Sequence, residues 1–293
     1  MISVNLIGEL LIVGLMLGLT YALMSIGVTL IYGIMKMANF AHGEFYMLGG
    51  YTVFYVYILL NLPTLLAIPF AILTGMLLGY CVARFLLSGI YEKNPEYAGE
   101  YAMLTTFALA IFLQNFAKIF FGASIVSVPP LITGIIKTDI FVLSLDRILT
   151  LFVSAISLFG LYYFIKKTKP GRAWRAAAQN KPGALVTGVE VSKISNMSYA
   201  IGGGLAALAG GLLTPIYSVY PNAGFWPLII SFVAMTLGGL GSIVGAFIAS
   251  IIIGLTHTFV ATFIGTSYAD IAMYIVLITV LFIKPTGLMG REE

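Results

Sequence analysis

The length of its uncharged stretches constrains this chain more than anything else in it. Residues 10–35 carry no charged side chain, 45–83 carry none, and 194–269, a run of 76 residues, carry none either. A helix needs about 20 consecutive apolar residues to cross a bilayer. In hydrocarbon, backbone N–H and C=O groups must be satisfied within the helix or around a closed barrel. Barrel strands alternate over about ten residues. These runs are continuous and longer, so they predict helices. Composition points the same way, with 60% hydrophobic and 9% charged residues and a mean hydropathy of +1.04, where soluble domains carry roughly a quarter charged residues. The expected fold class is an all-α integral membrane protein, a polytopic helical bundle forming a single transmembrane domain over residues 1–293.

Punctuation divides the runs. The first apolar stretch, 7–33, has neither a basic leader region nor a small-residue cleavage site and reads as a retained span, not a signal peptide. The stretch 45–83 is too long for one crossing and is broken at Asn61-Leu62-Pro63, which gives spans near 45–60 and 64–87. Residues 101–121 and 148–165 make two more. The stretch 194–269 holds three crossings, broken at 215–227 and at Gly238-Gly239-Leu240-Gly241-Ser242, and a last span runs 266–284. That makes nine segments, or eight if one is a half-span. With the N-terminus outside and the C-terminus inside, Lys36, Arg84, Lys93, Lys166, Lys167, Lys169, Arg172, Arg175, Lys181, Lys193, Lys284 and Arg291 all fall inside. Only Lys118, Lys137 and Arg147 fall outside. The positive-inside rule selects that orientation.

Two connections stand out. The outer one, 122–146, is mostly apolar around Pro129-Pro130 and suits the membrane surface or a partner. The inner one, 166–193, reads KKTKPGRAWRAAAQNKPGALVTGVEVSK. Pro170 opens a helix, 173–179 are strong helix formers, Asn180-Lys181-Pro182 stops them, and a second short helix follows over 183–189. A basic loop that only touched anionic lipid would need no helix-break-helix order. Trp174 and the alanine run therefore point to a pair of short helices docking a cytoplasmic protein. Small residues at four-residue spacing (Gly14/Gly18, Gly75/Gly79, Gly202/Ala206/Gly210, Gly203/Ala207/Gly211, Gly241/Gly245) fit ordinary close helix packing in lipid. The denser cluster Gly238, Gly239, Gly241 and Ser242 suits a broken helix or tight connection at membrane depth.

Several chemistries are excluded. Ser242 and His257 would lie about 22 Å apart on one helix, so no Ser–His dyad forms. His42 and His257 fall toward opposite faces, no spacing resembles a metal site, and the lone Cys81 offers neither disulfide nor thiolate cluster. No Gly-Lys dipeptide occurs, so there is no phosphate loop. Nothing marks a nucleic-acid partner. The expectation is a non-enzymatic, transporter-like bundle with no cofactor of its own, any ATP being used by partner subunits.

Three stretches carry a family resemblance: GLTYALMSIGVTLIYGIMKMANFAHGEFYMLGGY (18–51), GRAWRAAAQNKPGALVTGV (171–189) and TLGGLGSIVGAFIASIIIGL (236–255). Together they closely resemble the shorter permease subunits of branched-chain amino acid ABC importers. Permeases for urea and short amides look similar. The loop motif opening with Glu-Ala-Ala in many ABC permeases is not matched well, since Ala176-Ala177-Ala178-Gln179-Asn180 stands there. The resemblance implies a second related permease subunit, two cytoplasmic ATPases under the inner loops and an extracytoplasmic binding protein, in the cytoplasmic membrane. Arg172, Trp174, Arg175, Ala178, Asn180, Lys181 and Gly188 would carry the ATPase coupling. Gly238, Gly239, Gly241, Ser242 and Gly245 would form the helix break.

The stretch MANFAHGEFYMLGG (37–50) places Asn39, His42 and Glu44 at the seam between two uncharged runs, expected at the cytoplasmic end of the bundle. Ionisable groups there must face protein or water. They are expected either to tie two helix ends together or to line an inner gate, and the structural role is favoured because a zwitterionic apolar substrate needs few charges along its route. Gln114 and Asn115, in an apolar span, are expected to hydrogen-bond between helices or line the path. A secondary carrier or channel would place carboxylates at mid-membrane, whereas Glu9, Glu44 and Asp270 are expected near span ends.

Overall fold

The computed structural model describes residues 4–93, 97–138 and 142–290. The elements are α1 (Val4–Met35), α2 (His42–Leu60), α3 (Thr64–Cys81), a π-helical stretch (Val82–Leu87) leading into α4 (Ser88–Lys93), α5 (Ala98–Phe120), strands β1 (Ile135–Lys137) and β2 (Val142–Ser144), α6 (Leu145–Lys167), α7 (Lys169–Gln179), α8 (Lys181–Val186), α9 (Val191–Tyr217), α10 (Phe225–Gly238), α11 (Ile243–Phe263) and α12 (Thr266–Ile283). The protein is an all-α polytopic membrane bundle. Among the described residues seven helices are long and apolar enough to cross a membrane. α2 stays outside that set because it opens on His42 and Glu44, and α10 because it has only 14 residues.

Small residues explain how the bundle closes. α9 is its axis, with residues 202–214 all buried and rich in Gly and Ala. α3 runs antiparallel to it: Gly75 lies on Gly203 and Ala207, and Gly79 on Tyr199. α2 runs parallel to it: Gly210 lies on Tyr46, and Gly50 beside Thr214. α1 and α11 are antiparallel, with Gly14 against Leu255 and Gly18 against Ile251. In lipid, burial of apolar surface gives little drive for helix association, so packing depends on backbones approaching closely. The small-residue pairs picked out from the sequence at 14/18, 75/79 and 202–211 line these seams.

The ends of the bundle differ. At one end α7 lies against the C-terminal turn of α1, with α8 packed on α7 and α9; there Trp174 covers Gly33, and Gly241 also faces Gly33. At the other end the β1–β2 hairpin is tied to α1 through the Val142 amide, which donates to Glu9 Oε1 at 2.6 Å, and Val126 pairs with Val219. Helix directions put Lys36, Arg84 and the Lys and Arg residues of 166–193 at the first end, and Lys118, Lys137 and Arg147 at the second. Arg291 lies outside the described residues.

The Gly-rich link differs from its expected setting at membrane depth. Residues 239–242 sit at the α7–α8 end, where 284–290 clasp them: the Leu288 amide donates to Leu237 O and the Met289 amide to Gly238 O, both at 2.9 Å. Gly239 has φ +103°, and a Cβ there would fall on Gly290 N. Ser242 caps α11, its Oγ accepting from the Gly245 amide at 3.1 Å, while Gly245 itself lies against the Gly238 carbonyl. Gly239→Leu combines left-handed strain, of order 1–3 kcal/mol, with a backbone clash. It should lower the unfolding temperature in detergent well below that of Gly99→Leu, where nothing lies within 4 Å; equal values would show that the clasp is dispensable.

Two links run from an end into the bundle, 36–41 from the α7–α8 end and 218–224 from the β1–β2 end. Gly43 and Gly224 touch backbone to backbone at the starts of α2 and α10. α2 and α10 therefore begin within the bundle, not at its ends.

Candidate functional site

The path of 36–41 builds the site. α1 ends as Lys36 takes φ 54°, and the chain turns back alongside it. Asn39 shapes the re-entry: its Oδ1 accepts from the Ala41 amide at 3.0 Å, and its carbonyl accepts from the His42 amide at 3.3 Å. His42 then starts α2 in a notch between α1 and α9. A Cβ on Gly27 would come within 2.9 Å of the His42 ring and 3.0 Å of Gly202 O. Gly27 lies eight residues inside the α1 end, about 12 Å at 1.5 Å per residue. Asn39, His42 and Glu44 are all buried. This corrects their expected position at the end of the bundle: the bend at Met37 and the turn at Phe40-Ala41 double the chain back after Lys36 and carry α2's first turn inside.

His42 and Glu44 are two residues apart on a helix and face different neighbours. His42 meets α1 and α9, and its ring lies edge-on to Phe45 at 6.0 Å. Glu44 meets α5, where Gln114 Nε2 donates to Glu44 Oε1 at 2.8 Å. The second carboxylate oxygen, Oε2, is buried with no partner among the described residues. One turn earlier the Phe40 amide donates to Thr106 Oγ1 at 3.2 Å, and Phe40 packs edge-on to Phe107 at 5.9 Å. Farther along, Tyr51 stacks on Phe121 at 4.4 Å. Among the described residues Asn115 makes no interhelical bond; its Nδ2 donates to Ile111 O of its own helix at 2.8 Å.

Between α2, α5 and the start of α10 lies a cavity of about 380 Å³, lined by Phe40, Glu44, Phe107, Gln114, Asn222 and Phe225 together with smaller apolar groups. Its walls are apolar and aromatic, with one carboxylate and two amides. That is the usual make-up of a small-molecule site, in which few polar groups set orientation.

The basic loop forms two short helices as expected, but the second runs Lys181–Val186 and not 183–189, because Asn180 caps it and Pro182 sits in its first turn. Thr168 caps α7, its Oγ1 accepting from the Gly171 amide at 3.1 Å, and Asn180 caps α8, its Oδ1 accepting from the Gly183 amide at 2.9 Å. Trp174 is 6% exposed and its Nε1 donates to Leu30 O at 3.2 Å, which seats α7 on α1. Ala178 packs toward Gly33 in the same contact. Arg175, expected among the coupling residues, is tied to its own bundle: its Nη1 donates to Ile165 O at 2.5 Å and holds the last turn of α6. Arg172, Asn180, Lys181 and Gly188 are exposed, and Gly188 has φ +81°. Leu185 and Val186, 55% and 89% exposed, present bare apolar side chains between them. Sequence reading passed over this pair because in an apolar chain two aliphatic residues carry no signal; their exposure does.

Residues 10–281 match the family model described as the permease component of branched-chain amino acid transport systems. The chain belongs to this family. It is 33% identical over 294 aligned residues to the high-affinity branched-chain amino acid transport system permease protein LivH of Escherichia coli, covering 96% of this chain and 94% of that one. It is 34% identical to BraD of Pseudomonas aeruginosa, with the same coverage. Among solved structures, PsaBC from Streptococcus pneumoniae in complex with Fab covers 94% of this chain at a TM-score of 0.50 and 14% identity, a likeness of fold alone. The family membership makes this chain a transport permease, and the docked α7–α8 pair and the cavity beside Glu44 are to be read in that light.

Proposed function

We propose that the chain is a membrane subunit of an ATP-driven importer for branched-chain or other neutral amino acids. It lies in the cytoplasmic membrane with its N-terminus outside and its C-terminus inside. A second related permease completes the pore, two cytoplasmic ATPases engage α7 and α8, and an extracytoplasmic binding protein delivers substrate at the β1–β2 end. ATP is consumed by the partners; this chain converts their motion into alternating access as a two-state element. The observation that carries the reading is the α7–α8 pair, seated on α1 through Trp174 and Leu30 while Leu185 and Val186 stay uncovered.

In this reading the cavity between α2 and α5 lies on the substrate path. Asn39 and His42 hold the re-entrant start of α2, Gln114 and Glu44 tie α5 to it, and none of them exchanges a proton. Reconstituted with partner subunits in vesicles, the complex should take up leucine only with ATP. His42→Gln and Glu44→Gln should retain uptake within about threefold across pH, since an amide at 44 still accepts from Gln114. Glu44→Leu leaves that amide unpaired at about 1–3 kcal/mol and should lower folded yield. Loss of uptake in both glutamine variants, with folding and ATPase association intact, would make this stretch a gate that depends on its ionisable groups.

A further inference from the structure

A second cavity, of about 320 Å³, lies on the other side of α10's first turn, toward the β1–β2 end of the bundle. Its wall is aromatic: Tyr46, Tyr217, Tyr220 and Trp226 line it together with Tyr21. Asp270 and His257 also line it, and neither Lys nor Arg does. Asp270 belongs to α12 and His257 to α11, with Oδ1 and Nε2 4.0 Å apart, and the His257 ring meets Tyr21 edge-on at 6.4 Å.

A carboxylate inside a membrane segment needs a counter-charge or a cavity to face. His257, at 4.0 Å, is beyond ordinary hydrogen-bond reach. Aromatic rings supply what a carboxylate alone cannot, because their negative faces attract a cation while their bodies exclude water. A set of five aromatic side chains with one carboxylate and no competing lysine or arginine is therefore complementary to an organic ammonium group. It is not complementary to an anion, which would meet Asp270, and a wholly apolar molecule would offer Asp270 no counter-charge. The volume admits a small molecule or a lipid headgroup.

We propose that this cavity binds a primary ammonium group, with Asp270 as its counter-charge and Tyr46, Tyr217, Tyr220 and Trp226 as its cage. The carrier is either an amino acid or an amine-bearing lipid headgroup; the chemistry at the site is the same. The proposal requires no transport, so its failure would leave the permease reading standing.

The test uses the full-length chain in nanodiscs of phosphatidylglycerol, a lipid without an amine. Trp226 is one of the chain's two tryptophans, and its signal is taken as the part of the fluorescence change that disappears in Trp226→Phe. Leucine and isoamylamine, which lacks the carboxylate, should give a saturable change; isocaproate, which lacks the ammonium, should give none. Replacing part of the lipid with phosphatidylethanolamine identifies the source: if that lipid produces the change by itself and blocks isoamylamine, the headgroup is the carrier, and if it does neither, the free amine is. Asp270→Asn should raise the half-saturating concentration about tenfold and Tyr220→Leu, in the connecting segment outside the helices, by several-fold. The proposal is overturned if no ammonium source gives a saturable change, if isocaproate matches isoamylamine, or if either folded variant binds as the original chain does.

Discussion

Placing aspartate at both Leu185 and Val186 should abolish ATP-driven uptake while leaving the chain folded in the membrane. The two side chains are 55% and 89% exposed at the tip of α8, so their replacement removes little internal packing. What it removes is an apolar knob that a partner would bury, and buried apolar anchors carry most of the energy of an interface. The measurement is co-purification of the ATPases together with leucine uptake; both should fall to background, with the chain's elution profile in detergent unchanged. Normal association and uptake would remove α8 as the docking element. Charge reversal at Arg172 and Arg175 is a poorer probe, because Arg175 holds the Ile165 carbonyl and its loss would loosen α6 directly. Reversal at Arg172 with Lys181 keeps that tie intact and should lower association less than the aspartate pair, since exposed charges act mainly on encounter and specificity.

The second large effect is expected where α2 and α10 begin. A Cβ on Gly43 would come within 2.5 Å of Gly224 O, and one on Gly224 would fall on the Gly43 carbonyl. Neither obstacle is a side chain that can rotate away. Adding bulk to a well-packed core, where side chains and backbone can shift, costs about 1–3 kcal/mol; here two backbones must separate, and with them the walls of both cavities. Gly43→Leu and Gly224→Leu should each leave little folded protein by size exclusion in detergent. Gly160→Leu, on a part of α6 where nothing lies within 4 Å, should be recovered at the original yield. Equal recovery of all three would show that the Gly43–Gly224 crossing does not hold the fold.

Where a helix stops is a local property, and most stops were legible in the letters. Asn61-Leu62-Pro63 ends one helix and begins the next because Asn61 takes φ 50° and the residue before a proline leaves the α region. Thr168 and Asn180 start α7 and α8 because each offers a side-chain oxygen three residues ahead of an otherwise unpaired amide. The all-helical class followed from hydrocarbon's refusal of unpaired backbone groups, and the small-residue seams from four-residue spacing. Depth was not legible. Asn39, His42 and Glu44 follow a helix end, and sequence order alone placed them at the membrane surface. Only the return path after Lys36, and the space left by Gly27 and Gly202, carries them inside. Partners distant in sequence were equally hidden: Gln114 meets Glu44 across 70 residues, and Trp174 meets Leu30 across 144. The role of Arg175 turned on a carbonyl at the end of α6, and the aromatic cavity on five rings and a carboxylate drawn from several helices and the connection 218–224. Which helix breaks, and roughly where, is decided within a few residues of the break; how deep it lies and what it faces depends on backbones brought together from across the whole chain.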